Sequence, residues 1–137
     1  MGAWGAGSFQ NDSALDWYED FRAGGATAIV AALDAVPTDD DIDADDGEPA
    51  LAAAEIVAAC FGHPPTDRPA DLDELVSRHA SAITDLPDIR RRAIKAVSRI
   101  RSEDCELFEL WHEDFDASGG EWLDIVDNLI KRLEEAR

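Results

Sequence analysis

The chain has 137 residues, with twelve Lys and Arg set against 31 Asp and Glu, and a formal net charge of −19 at neutral pH. That length suffices for a single domain, residues 1–137, whose core needs no disulfide or metal staple. The charge opposes phosphate backbones and anionic headgroups, which argues against nucleic acid and membrane surfaces and makes a basic protein the natural partner.

In chain order, the first ten residues interleave Gly2, Gly5 and Gly7 with Trp4 and Phe9. Glycines let such a segment fold back, and two large rings make its anchoring worthwhile, so an ordered loop over 1–10 is predicted. The opening has neither a basic region nor a long apolar run, so it does not read as a secretory signal, and no stretch reaches transmembrane length. Asn11, Asp12 and Ser13 are all good N-caps. Ala14, Leu15, Trp17, Tyr18 and Phe21 then mark the apolar face of a first helix running to about Arg22. Gly24 and Gly25 break it. Ile29, Leu33 and Val36 carry a second helix that Pro37 stops.

Residues 38–47 hold six aspartates, which predicts a solvated acidic loop. Pro49 suits the first turn of a third helix. Its run from Leu51 to Phe61 is apolar nearly all round apart from Glu55, and Gly62 ends it. This is the expected central helix, and its alanines would let neighbours approach closely. Residues 62–70 form a proline-stiffened connection. Asp71 can cap a fourth helix with Leu72, Leu75, Val76, His79 and Ile83 inward. Pro87 opens a fifth, with Ile89, Ala93, Val97 and Ile100 inward and about half of all basic charge, Arg90 to Arg92, Lys95, Arg99 and Arg101, on its other sides. A sixth helix is expected from Ser102 or Asp104 through Leu107, Phe108, Leu110 and Trp111. Ser118 and Glu121 have capping-box spacing ahead of a last helix through Trp122, Ile125, Val126, Leu129 and Leu133. No alternating strand pattern occurs. The expected fold is therefore all-α: a compact array of six to seven antiparallel-tending amphipathic helices without a sheet.

Few residues group into chemistry. Asp41, Asp43 and Asp45 alternate like the start of a calcium loop, but Asp46 occupies the glycine position and Ala52 the place of the closing glutamate, so no metal site is read there. Glu109 and His112 have the Glu-x-x-His spacing of di-metal bundles, without the second pair such a centre needs. A surface Glu–His contact is the simpler reading. Glu55, alone in an apolar helix, must be paired or carry a raised pKa if buried. Exposure, or an ion pair with the arginines of the fifth helix, accounts for it without catalysis. Those arginines read as intramolecular neutralisation of the acidic surface. Cys60 and Cys105 look like reduced core fillers, which points to the cytoplasm. No cofactor motif is present.

The opening block, with Trp4, Gly5, Gly7, Phe9, Asn11, Asp12, Ala14, Leu15 and Trp17 in order, resembles the start of a bacterial family described as domain of unknown function 4259. The likeness continues through the helix around Glu55 and the stretch of Glu109, Trp111 and His112. The family pattern often has an acidic residue where Ser13 stands here, which leaves capping intact. The resemblance implies a helical cytoplasmic domain, carries no activity with it, and marks the Gly/Trp opening as important to members. From the residues, that block is a plug, with Trp4 and Phe9 in a groove and Asn11 or Asp12 capping the first helix. The alternative is a ligand pocket rimmed by the same residues.

The leading expectation is a non-enzymatic interaction or regulatory module presenting an acidic helical face to a basic protein. The rival is an enzyme or small-ligand protein using Glu55, Glu109, His112 or the residues beside Trp4. DNA mimicry ranks third, because the aspartates crowd one loop instead of spacing along a face.

Overall fold

The computed structural model describes residues 8–9, 11–37, 40–65, 69–102, 105–107 and 118–135. They form six helices: α1 (Asp12–Gly24), α2 (Ala26–Asp34), α3 (Ala44–Cys60), α4 (Leu72–Thr84), α5 (Ile89–Ile100) and α6 (Ser118–Glu135). No sheet occurs among the described residues, where the one β contact is an isolated parallel bridge between Ile42 and Cys105. The all-α expectation holds. Of the expected helix beginning at Ser102 or Asp104, Glu106 and Leu107 are helical, and 108–117 lie outside the described residues.

α3 is the axis of the molecule, as its composition requires. Every residue from Ala50 to Ala59 is buried, and the helix packs against α1, α2, α4, α5 and α6. Its alanines carry no bulk to hold those neighbours off. Ala53→Leu is expected to overpack the core by about 1–3 kcal/mol, read as a lowered denaturant midpoint at unchanged m-value. The helix ends as a Schellman motif, with the His63 N–H donating to the Ala58 carbonyl (2.9 Å), the Gly62 N–H to Ala59 (3.0 Å), and Gly62 at φ 95°.

Its beginning departs from the sequence reading. α3 starts at Ala44, so part of the expected 38–47 loop is helical and Pro49 lies inside the helix, beyond its first turn. Asp45 and Asp46 occupy the first turn, where carboxylates favour the positive helix end over solvated coil. The Ala44 N–H is also satisfied from afar, donating to Glu106 Oε1 at 2.8 Å. The inward face of α5 is as expected, with Ile89, Ala93, Val97 and Ile100 buried; on α6 Trp122, Val126, Leu129 and Leu133 are buried, while Ile125 is half-buried. On α4, Leu72, Leu75 and Ile83 are buried, while Val76 and His79 are half-buried at the edge.

Candidate functional site

Glu55 sits in the middle of the most apolar helix, and the structure buries it: its side chain is 2% exposed. Two groups approach it. The Ser8 hydroxyl donates to Oε2 at 2.9 Å, and Arg132 Nη1 lies 2.8 Å from Oε1. Arg132, itself 15% exposed, also donates from Nη1 to the His63 carbonyl (3.1 Å) and from Nε to Asn128 Oδ1 (2.6 Å). Among the described residues the Arg132 guanidinium is the group that holds Oε1, chiefly by charge. Burial pushes the Glu55 carboxyl above its ordinary range, while the Arg132 guanidinium and the Ser8 hydroxyl pull it back. The expected arginine partner was on α5, and that expectation is corrected. The partner comes from α6, because the basic face of α5 is turned to other work.

That work is neutralisation. Arg92 pairs with Asp34 at 2.6 Å, and Arg99 donates to the carbonyls of Pro37 (3.1 Å) and Asp40 (2.8 Å). Arg101 pairs with Asp127 on α6. α5 thus ties the C-terminal end of α2, the acidic connection and α6 to one another.

The N-terminal block is placed in part. Phe9 is buried and meets the Tyr18 ring edge-on at 5.9 Å, as a plug would; Trp4 lies outside the described residues. Asn11 is the helix cap, its Oδ1 accepting the Ala14 N–H at 2.7 Å, while Asp12 is exposed in the first turn. Trp17 is buried, stacked on Phe21 and anchored by its indole N–H to the Ala28 carbonyl (3.1 Å). Glu109 and His112 also lie outside the described residues. Ser8, which completes the Glu55 cluster, carried no signal in the sequence, since one serine after a glycine run matches no motif. The Ser8–Glu55 contact has the form of a hydroxyl beside a base, but both residues are buried, and a reacting group must first be reached by substrate.

Asp71 is the N-cap residue of α4 but makes no capping hydrogen bond with its side chain. It accepts instead from the Tyr18 hydroxyl (2.8 Å) and pairs with Arg22 (2.8 Å), whose guanidinium lies 5.1 Å from the centre of the Tyr18 ring. Burial and the Asp71 carboxylate raise the Tyr18 phenol well above its ordinary value.

A second acidic cluster surrounds Glu48. Burial, then the charges of Asp45, Glu106 and Asp12, push its carboxyl up to about 7. A raised carboxyl means that the folded state holds the proton longer than the unfolded chain does. Its contribution therefore falls as pH rises from the ordinary value near 4.5 through about 7. Glu48→Gln should raise stability at pH ~8 by on the order of 1 kcal/mol, after discounting for solvent screening, and leave it unchanged at pH ~4. Thermal melts across that range check it.

The sequence model of a family described as Domain of unknown function (DUF4259) matches residues 2–124. The chain belongs to this family. No curated protein and no solved structure matches it. The DUF4259 match takes in Ser8, Phe9, Asn11, Trp17, Glu48 and Glu55 and ends within α6, before Arg132. Within this DUF4259 chain, Cys105 is buried and Cys60 half-buried, and burial pushes the Cys60 thiol up to about 12, where it is a poor nucleophile. Among the described residues no group of three His, Cys, Asp or Glu is placed to hold a metal ion, and no helix is long and apolar enough to cross a membrane.

Proposed function

We propose that this chain is a non-enzymatic interaction or regulatory module that offers an acidic helical surface to a basic protein. One observation carries the reading: the carboxylates outnumber the basic side chains 31 to 12, and half of those basic side chains are already engaged within the chain. Arg22, Arg78, Arg92, Arg101 and Arg132 are each in an ion pair, and Arg99 is spent on backbone carbonyls. Carboxylates therefore stay in net excess, and the field around the chain is negative. Such a field draws a basic protein by long-range steering and turns away anionic ones. The buried Glu55 cluster reads as a structural tie between α3 and α6. The same reading places the protein in a bacterial cytoplasm, where two thiols stay reduced.

The test is affinity capture from the native host at low and moderate salt, followed by titration of each captured protein against the purified chain. The reading expects a basic partner that binds stoichiometrically, with an association rate that falls as salt rises. Recovery of only acidic proteins, or of none that binds after purification, would remove it.

A further inference from the structure

Alanines 28, 31 and 32 of α2 and Ala35, its C-cap, share one face, the spacing that stacks small side chains in a stripe. Ala31 and Ala35 are exposed, Ala28 half-buried and Ala32 buried, and together they floor a trough of about 270 Å³ walled by Trp17 of α1 and Pro49 of α3. The rest of the lining is acidic, with Asp20 from α1 and Asp45 and Asp46 from the first turn of α3. All three aspartates are exposed, and among the described residues no lysine or arginine lines the trough. The positive end of α3, roughly half a charge, offsets only part of three carboxylates.

The walls are fixed before anything binds. The indole N–H of Trp17 donates to the Ala28 carbonyl, and its ring stacks on Phe21 with 17° between the planes, so the ring has little freedom left to lose. The volume falls just short of the ~300–1,000 Å³ of sites for drug-sized molecules. It suits one or two side chains offered by a macromolecule. A methyl floor, an aromatic wall and a carboxylate rim match an arginine, whose aliphatic stem lies along apolar surface while its planar head reaches an acid or packs on an indole.

We propose that this trough is the docking site for an arginine-bearing, otherwise apolar helical segment of a basic protein partner. The proposal rests on the acidic-module reading above and gives that surface an address.

The probe is a short amphipathic peptide with arginine and leucine at helical spacing, titrated into the isotope-labelled full chain at low and moderate salt. Counterparts with glutamine for arginine or serine for leucine serve as controls. The expected result is a set of shifts centred on the Trp17 indole, residues 28–35 and residues 45–49, with both counterparts weaker by ~tenfold or more. Ala31 is exposed, so Ala31→Leu fills the trough without entering the core and should weaken the probe by ~tenfold at unchanged melting temperature. Asp20→Asn with Asp45→Asn should weaken it most at low salt. Shifts spread over the whole acidic surface, with Ala31→Leu silent, would overturn the trough while leaving the acidic module standing. No binding even at low salt, with the host captures also empty, would remove both.

Discussion

Replacing Arg132 with alanine should destabilise the fold by about 3–5 kcal/mol at pH ~8 and by distinctly less at pH ~5. The variant leaves Glu55 as a buried charge whose remaining described partner is the Ser8 hydroxyl, and it strips a donor from the His63 carbonyl. An isolated buried carboxylate escapes its penalty by taking up a proton, and burial already raises the Glu55 pKa with the arginine in place. With the pKa raised further in the variant, stability falls as pH climbs from the ordinary value of 4.5 toward the folded one, so the gap from the native chain widens upward in pH. Glu55→Gln removes the charge while keeping an acceptor for Ser8. Adding Arg132→Ala to it should therefore cost only about 1–2 kcal/mol, nearly independent of pH. Urea titrations of the four proteins at both pH values form the cycle. A loss under ~1 kcal/mol in the single variant, flat with pH, would show that the pair is not buried as described.

How far the sequence foretold this arrangement depends on the distance over which each feature is decided. Local patterns were legible. Asn11 caps α1, Gly62 ends α3, and the stripes of α5 and, Ile125 apart, of α6 are buried where their periodicity puts them. Each needs only a few consecutive residues to be recognised. The errors arose where a distant group outweighed the local signal. The aspartates before Gly47 resemble a loop because like charges repel, yet two of them answer a helix end and Glu106 supplies the missing acceptor. Asp71 has the composition of a cap, but the Tyr18 hydroxyl and Arg22 claim its oxygens. For Glu55 the need for a partner was clear and the choice was not. Periodicity gives the face on which an arginine lies, without saying which helix that face meets. The trough was invisible for the same reason, since its floor, walls and rim come from three helices.

Gly25→Ala should cost about 2–4 kcal/mol, whereas the adjacent Gly24→Ala should be neutral or stabilising by up to ~1 kcal/mol. Gly25 alone joins α1 to α2, at φ 61° and ψ −132°, a conformation that L side chains rarely adopt. Its N–H donates to the Phe21 carbonyl at 2.7 Å and its own carbonyl accepts from Ala28 at 3.1 Å, so the backbone cannot relax without losing the end of one helix or the start of the next. A β-carbon there would also stand 3.0 Å from Nδ1 and 3.1 Å from Cε1 of His79, pressing a ring already packed 5.4 Å from Phe21. At Gly24 the new methyl meets only the Ala28 β-carbon at 3.8 Å, inside a helix that favours alanine. His79→Ala combined with Gly25→Ala separates the two costs, restoring the steric share and leaving the backbone strain. The joint also sets the angle at which Trp17 reaches across to Ala28, so Gly25→Ala should weaken the arginine peptide as well as lower the melting temperature. If Gly25→Ala melts with the native chain, α1 and α2 are not joined in this way, and the wall of the trough is lost with the joint.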